Sequence, residues 1–215
     1  MNNGRALLLA ALECVVSAEA LSRPVSYAGG WTLIGESDRQ SSSALLHYTP
    51  TYQWSVGPRL EHNRNDHFSL TTAHATRLAK RWFGHDYQGN FYFFGGAGMV
   101  SGVDGNILDD RFAAYGGVMA DWETRSLFTS YRARYMGASH FGEQFMQAAR
   151  FGFAPYEGDT GALHTWLMLE IDHRPADPDS ITATPLLRLF KGPLLFEAGY
   201  NITVNQPLLN FTYRF

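Results

Sequence analysis

The chain has 215 residues and a formal net charge of −3, with 20 acidic and 17 basic side chains. This length suits one domain, and the charge balance argues against a nucleic-acid partner, because no basic run exceeds Lys80-Arg81. The only cysteine is Cys14. If it is removed with an N-terminal leader, disulfide scaffolds and cysteine-based metal sites are excluded.

The first twenty residues have the pattern of a cleaved signal peptide. Arg5 supplies a positive charge, residues 6–16 form an apolar core, and Ala18-Glu19-Ala20 has the A-x-A pattern of a cleavage site, so cleavage is predicted after Ala20. The core has roughly half of the ~20 residues that a membrane-spanning helix needs, and Glu13 interrupts it. The predicted organisation is therefore a signal at 1–20 and one domain at 21–215.

The remainder consists of short segments in which apolar and polar residues alternate, separated by turn-forming residues. In chain order the predicted strands are 27–36, 43–50, 51–63, 68–81, 89–100, 112–123, 126–137, 144–155, 162–173, 182–191, 194–203 and 208–215. An even count of twelve lets both chain ends lie on the same side of a membrane. Ten strands is the alternative, because 49–58 fits either one bent strand or a tight hairpin turning at Thr49-Pro50.

The last predicted strand alternates up to the final residue. One face carries Leu209, Phe211, Tyr213 and Phe215, and the other carries Asn210, Thr212 and Arg214. This pattern resembles the C-terminal strand of bacterial outer-membrane β-barrels, in which a terminal Phe preceded by alternate aromatics is recognised by the assembly machinery. The resemblance implies that Phe211, Tyr213 and Phe215 form an assembly signal.

That resemblance implies an all-β fold, a closed antiparallel transmembrane β-barrel, in the outer membrane of a Gram-negative bacterium. Its partners would be outer-membrane lipids and the barrel-assembly machinery. The composition agrees, because 45% of the residues are hydrophobic and yet no stretch approaches about 18 consecutive apolar residues. A soluble sandwich or a lipocalin-like barrel is the alternative interpretation.

Alternation also assigns charged residues to the inside of the barrel. The predicted lumen residues are Arg59, Arg77, Arg132, Arg134, Arg150, Arg188 and Arg214, with Glu61, Asp121, Glu123, Glu170, Asp172 and Glu197. The two signs nearly balance, and arginine, which dominates the basic residues, suits bidentate pairing with carboxylates. The sequence therefore predicts a charge-paired lumen without a cofactor. It either braces a filled, structural barrel or lines a small or gated channel for a small polar or zwitterionic solute.

Histidines suggest a second kind of site. His62, His67, His140 and His173 fall at or near the same ends of predicted strands, where imidazoles and carboxylates would suit Zn²⁺ or Cu²⁺. No two of these histidines have the short sequence spacing that is typical of paired metal ligands. A metal-handling barrel is thus an alternative hypothesis.

A catalytic alternative rests on His67-Phe68-Ser69. Some outer-membrane barrels that act on lipids carry a His-x-Ser pair on one strand face, and the spacing here is the same. A nucleophilic serine needs a base, and the base needs a third, orienting group, for which the following residues offer no convincing partner. The sequence accordingly favours a non-enzymatic barrel over a lipid hydrolase.

Overall fold

The computed structural model describes residues 25–102, 111–159 and 161–215. The predicted signal at 1–20 and the predicted loop at 103–110 lie outside the described residues. Within the described residues, no helix is long and apolar enough to cross a membrane.

Twelve strands are present in the described ranges, together with one turn of 3-10 helix at Ser139–Phe141. The strands are β1 (Trp31–Ser37), β2 (Ser41–Thr51), β3 (Trp54–Asn63), β4 (Phe68–Phe83), β5 (Gln88–Gly102), β6 (Arg111–Glu123), β7 (Leu127–Gly137), β8 (Glu143–Phe153), β9 (His164–His173), β10 (Ile181–Lys191), β11 (Leu194–Asn201) and β12 (Gln206–Arg214). Each strand pairs antiparallel with its neighbours in sequence. The predicted all-β class and the count of twelve are confirmed, and the alternative of ten is wrong.

The first and last strands close the barrel. β1 pairs with β12 from Thr32↔Arg214 to Ser37↔Leu209. Beyond that ladder, Trp31 N–H donates to the Phe215 carbonyl (2.8 Å) and Phe215 N–H donates to the Trp31 carbonyl (3.0 Å). Closure leaves no open sheet edge, which a strand protein in hydrocarbon requires. We call the end of the barrel at which β1 begins and β12 ends the terminal end, and the opposite end the distal end.

The ambiguous region at 49–58 is a tight hairpin, but its turn is not at Thr49-Pro50. β2 continues through Pro50 to Thr51, and Tyr52 and Gln53 make the turn. The register of β2 against β3 shifts between Tyr48 and Thr51. Proline has no N–H to donate, so it is tolerated where the ladder is already irregular.

Along the strands, side chains alternate between an apolar outer face, of the kind that contacts lipid, and the barrel interior. On β12, Leu209, Phe211 and Tyr213 are exposed, whereas Leu208 and Thr212 are buried. The exposed tryptophans all lie near the terminal end: Trp31, Trp54, Trp82 and Trp122. This arrangement is typical of a membrane barrel, with apolar residues outside and aromatics near an interface.

Three apolar clusters fill parts of the interior. One joins Phe68, Leu70, Val100, Ala113, Tyr115, Met136 and Ala138; the second joins Phe128, Ala154, Trp166, Met168, Leu186 and Leu208; the third joins Val25, Leu78 and Tyr92. Val25 precedes β1 and packs on the inward side chains of β4 and β5 near the terminal end. The segment before β1 therefore covers part of the lumen at that end.

Candidate functional site

A cavity of about 220 Å³ runs along the lumen between the apolar clusters. It extends from Asp38 and Arg174 at the distal end to Asp121 and Leu195 in the terminal half, and every strand contributes to its wall. A single water occupies roughly 10–15 Å³ on this measure, so the cavity holds on the order of 15–20 waters. Its size suits one small polar molecule.

The structure brings most of the predicted lumen residues to this cavity. Those that line it are Arg59, Glu61, Asp121, Glu123, Arg132, Arg134, Arg150, Glu170, Asp172, Arg188 and Glu197. Arg214 lies on the same strand face as the buried Thr212, nearer the terminal end.

Arg77 is not a lumen residue, and its prediction was wrong. On β4, His74, Thr76 and Leu78 are buried inside, whereas Arg77 is exposed on the outer face. Its guanidinium lies over the Trp54 ring, 5.5 Å from the ring centroid, near the terminal end. A long basic side chain can keep its charge at a membrane interface in this way.

Five side chains of alternating charge form a chain across the lumen, which we call the cross-lumen chain. Arg132 Nη1 is 3.1 Å from Glu36 Oε1, and Glu36 Oε2 is 3.3 Å from Arg59 Nη2. Arg59 Nε is 3.2 Å from Glu61 Oε2, and Arg134 Nη1 is 2.9 Å from both oxygens of Glu61. The chain begins and ends on β7 and passes through β1 and β3.

The strand positions show how far these contacts reach. β7 and β1 are six places apart in a ring of twelve, so Arg132 and Glu36 contact each other from opposite walls. Arg134 and Glu61 connect β7 with β3, four strands apart. Side chains can meet from opposite walls only if the bore is narrow, and the contact obstructs it.

Within the cross-lumen chain, Arg132 and Glu36 are the accessible members. The side chains of Arg132 and Glu36 are 30% and 34% exposed, respectively. Those of Arg59, Glu61 and Arg134 are only 8%, 4% and 7% exposed. The Arg134 guanidinium also lies over the Tyr115 ring, with its central carbon 4.3 Å from the ring centroid. The Arg132–Glu36 pair is therefore the part of the chain that a solute can reach.

A second group of charges lies on β8 to β12. Glu197 accepts hydrogen bonds from Arg188 Nε (2.6 Å), Arg150 Nη1 (3.0 Å to Oε2) and Asn210 Nδ2 (2.7 Å). Arg150 also pairs with Glu170. Arg188 and Asn210 reach Glu197 from the two strands next to β11, and Arg150 reaches it from β8, three strands away, so these contacts brace one side of the barrel.

A third group ties two distal loops together. Arg174 pairs with Asp38 (2.5 Å) and Asp172 (2.9 Å), and Arg39 pairs with Asp172 (3.3 Å) and Asp177 (2.9 Å). Burial opposes the ionisation of Asp38, but Arg174 and the backbone N–H groups of the following loop outweigh burial and hold its pKa below the ordinary value. The β1–β2 and β9–β10 loops are thus held together across part of the distal mouth.

Sequence reasoning missed Glu36, Asp38, Arg39 and Arg174. A signal for Glu36 was present, because Thr32, Ile34 and Glu36 continue the inward alternation of β1. The other three lie in loops, where alternation gives no direction. Only the fold shows that the two loops meet.

The histidines do not form the predicted metal rim. His62 lies on β3 and His173 on β9, six strands apart, and His173 Nδ1 is hydrogen-bonded to Gln147 on the outer face (2.9 Å). His67 has a left-handed backbone (φ 52°) in the β3–β4 loop, and the side chain of His140 lies outside the description. In residues 25–102, 111–159 and 161–215 no three His, Cys, Asp or Glu side chains are grouped to hold a metal ion.

The His67/Ser69 pairing also fails on geometry. β4 begins at Phe68, so strand alternation does not extend to His67. Ser69 Oγ lies instead 3.2 Å from His62 Nδ1, on the outer face. No ion pair in the described part of the chain joins His62 to a carboxylate.

The fold and its two faces define the class of this protein. It is a closed barrel with an apolar outer face and a charged lumen, and it has the fold of bacterial outer-membrane β-barrels.

Comparison with known proteins agrees with this class. A structure of the KdgM porin matches with 12% identity over 86% of this chain and 99% of that one (TM-score 0.50). The KdgM porin in complex with disordered oligogalacturonate matches with 11% identity over the same shares (TM-score 0.51). OccK11 (OpdR) from Pseudomonas aeruginosa matches with 9% identity over 88% of this chain and 67% of that one (TM-score 0.44). No protein-family model and no curated protein matches the chain.

Proposed function

We propose that the protein is a gated channel in the outer membrane of a Gram-negative bacterium. Its resting lumen is closed at the Arg132–Glu36 contact. In this proposal residues 1–20 are a cleaved signal, Phe211, Tyr213 and Phe215 guide assembly, the terminal end faces the periplasm and the distal end faces the exterior.

The observation that carries the proposal is the Arg132–Glu36 pair. It joins opposite walls at 3.1 Å and yet is the accessible part of the cross-lumen chain. Arg132 and Glu36 are partly exposed, whereas Arg59, Glu61 and Arg134 are buried, and an ion pair costs more to break the more it is shielded from water. The Arg132–Glu36 pair is therefore the contact of the cross-lumen chain that separates most readily, while Arg59, Glu61 and Arg134 stay in place.

The solute that fits is small and polar or zwitterionic. The cavity presents a guanidinium and a carboxylate side by side, and a molecule with both charges can replace each half of the pair. The bound oligogalacturonate of the KdgM porin supports a polar solute for barrels of this fold.

Solute flux tests the proposal. Proteoliposomes containing the wild-type barrel should swell slowly in isosmotic glycine, and the variant Glu36→Ala/Arg132→Ala should swell several times faster, because the contact across the bore is lost. Stachyose should remain excluded, since the wall charges still narrow the lumen.

The matched control is Arg125→Ala/Glu157→Ala, which removes an exposed ion pair (3.7 Å) outside the lumen. It should behave like the wild type. If neither the wild type nor the Glu36/Arg132 variant admits glycine, the barrel is not a channel.

A structural envelope barrel is the second candidate, and one observation favours it. Three apolar clusters occupy parts of the interior, with Val25 packed inside the terminal end. A barrel of this kind would stay impermeable in the Glu36→Ala/Arg132→Ala variant, so the same flux assay separates the two functions.

A lipid hydrolase is the third candidate and rests on the His62–Ser69 hydrogen bond. If it is correct, phospholipid or glycolipid deacylation by the wild type should disappear in Ser69→Ala. An inactive wild type, or an active variant, would contradict it.

A further inference from the structure

The outer face has a polar side at its distal end. The outward residues of β1 to β5 lie in one row, paired across strands as Ser37↔Ser42, Ser42↔His62, His62↔Ser69 and Ser69↔Ser101. We call these five residues the polar row. The equivalent end of the remaining wall carries exposed apolar and aromatic residues, including Phe112, Tyr135, Phe145, Ile181 and Tyr200.

A cation accompanies the polar row. Arg64 follows β3 and is exposed, and its Nη1 donates to Ser42 Oγ at 2.6 Å. Its Nη2 donates to the Asp38 carbonyl and to the Ser41 carbonyl, the latter at 3.3 Å. Two further bonds align the row itself, between Ser37 Oγ and Ser42 Oγ (2.9 Å) and between His62 Nδ1 and Ser69 Oγ (3.2 Å). The guanidinium, imidazole and hydroxyls together offer the donors that a phosphate accepts.

A strip of small residues adjoins the row toward mid-barrel. We call it the small-residue strip, and its members on β4, β5 and β6 are Thr71, Ala73, Ala75, Gly95, Ala97, Ala114 and Gly116. Cross-strand pairing places Ala73, Ala97 and Ala114 side by side, and likewise Ala75, Gly95 and Gly116. Exposed Val56 and Tyr135 stand on either side of the second set, so the strip is a shallow groove. Exposed Leu60, Met99 and Phe112 border its distal side, where Thr71 joins the strip to the polar row.

Packing inside the barrel does not explain the smallness of this surface. A Cβ added at Gly116 would meet nothing closer than 4.0 Å, whereas one at Gly95 would lie 3.1 Å from the Tyr115 carbonyl oxygen and one at inward-facing Gly98 would lie 2.0 Å from the Thr71 carbonyl oxygen. At Gly116 a larger outward side chain would therefore fit the protein itself. The groove is therefore shaped for something that lies against the outside.

We propose that this face binds one phosphate-bearing lipid of the outer leaflet. The phosphate contacts Arg64 and the polar row, and an acyl chain lies along the small-residue strip. The proposal rests on the outer-membrane location proposed above and is independent of solute passage. A lipid fits better than a second copy of the chain, because Arg64 supplies a cation at the headgroup level and Thr71 leaves a gap between Leu60 and Met99 that leads into the apolar groove.

Native mass spectrometry of the detergent-solubilised barrel tests this site. The probe is phosphatidic acid, compared with phosphatidylcholine of the same chains and with inorganic phosphate. Wild type should bind one phosphatidic acid at least tenfold more tightly than phosphatidylcholine, and should not retain phosphate alone. Arg64→Ala should weaken binding roughly tenfold, the usual scale of one charge-assisted hydrogen bond.

Three further variants keep the test decisive. Arg64→Lys should retain most binding, Ala97→Leu should weaken it by filling the groove, and Arg125→Ala, an exposed arginine near the terminal end, should leave it unchanged. Equal binding of both lipids, an Arg64→Ala barrel that binds like wild type, or equal losses in Arg64→Ala and Arg125→Ala would overturn the proposal. So would Ala97→Leu abolishing a dimer without affecting lipid binding. If the channel proposal is right, glycine flux is normal in all of these variants. A failure of the lipid proposal can therefore be distinguished from a failure of the channel proposal.

Discussion

Glu197 shows how single residues stabilise this lumen. Its side chain is 2% exposed and accepts hydrogen bonds from Arg188, Arg150 and Asn210. Arg188, at 1% exposure, also lies over the Phe128 ring at 4.6 Å. Charges buried this deeply persist only when they are paired, and removing one partner leaves the other uncompensated.

Replacing Glu197 should therefore be costly. We expect Glu197→Leu to lower the free energy of unfolding by about 3–5 kcal/mol, because the almost fully buried Arg188 loses its carboxylate partner. Urea unfolding of the barrel in lipid vesicles measures this loss. The matched control is Glu157→Leu, since Glu157 is 61% exposed and should contribute less than about 1 kcal/mol. Equal effects at the two positions would show that the Glu197 contacts do not stabilise the fold.

Asp38 gives a pH-dependent prediction at the distal rim. Its pKa is lower in the folded barrel than in the unfolded chain, so its stabilising contribution is present at neutral pH. That contribution is lost as the pH falls through the folded value. Asp38→Asn should therefore melt below the wild type at pH 7, and the two melting temperatures should converge in acid. A difference that stays constant with pH would contradict the Arg174 pairing.

At the scale of strands, alternation predicts direction well until the ladder is interrupted. Arg132 and Arg134 were placed inward from the β7 pattern, and both line the cavity. On β4 the register shifts between Leu78 and Lys80. Before the shift Thr76 and Leu78 face inward, which leaves Arg77 outside. After it, Arg81 faces inward and donates to Asn90. A bulge of this kind leaves no clear mark in a single sequence.

Strand spacing depends on particular glycines. Gly98→Ala should destabilise the barrel by about 1–3 kcal/mol, because the new Cβ would lie 2.0 Å from the Thr71 carbonyl oxygen and β4 and β5 would have to move apart. Gly116→Ala should change stability by less than about 1 kcal/mol. Urea unfolding of both variants compares them directly. If Gly116→Ala were the more damaging of the two, the assigned faces of β5 and β6 would be wrong.

The backbone and the side chain of Phe215, in the C-terminal strand, have different proposed roles, one in folding and the other in assembly. Phe215 closes the barrel through backbone hydrogen bonds to Trp31, whereas its side chain is exposed and stacks on Tyr213 at 5.6 Å. Phe215→Ala keeps the backbone bonds, so refolding into detergent should be nearly normal. Its amount in the outer membrane of cells should fall, because the proposed assembly signal is weakened. Normal amounts in cells would contradict that role for the side chain.

At the scale of the whole molecule, the sequence predicts the closed barrel but not what meets inside it. The twelve strands follow from alternation, turn residues and the aromatic C-terminus. Glu36 and Arg132 lie 96 positions apart in sequence, and their contact depends on the size and register of the complete ring. Tertiary proximity of this kind is set by closure, so no local pattern could reveal it.

Ion selectivity in planar bilayers tests most directly the proposed closure of the bore by charge pairing across it. The wild type should be closed most of the time. Glu36→Ala should conduct and prefer anions, because it leaves Arg132 and Arg59 without the carboxylate that they share. Arg132→Ala should conduct with little selectivity, since Glu36 keeps Arg59. A Glu36→Ala barrel that stays as closed as the wild type, or that prefers cations, would contradict the account.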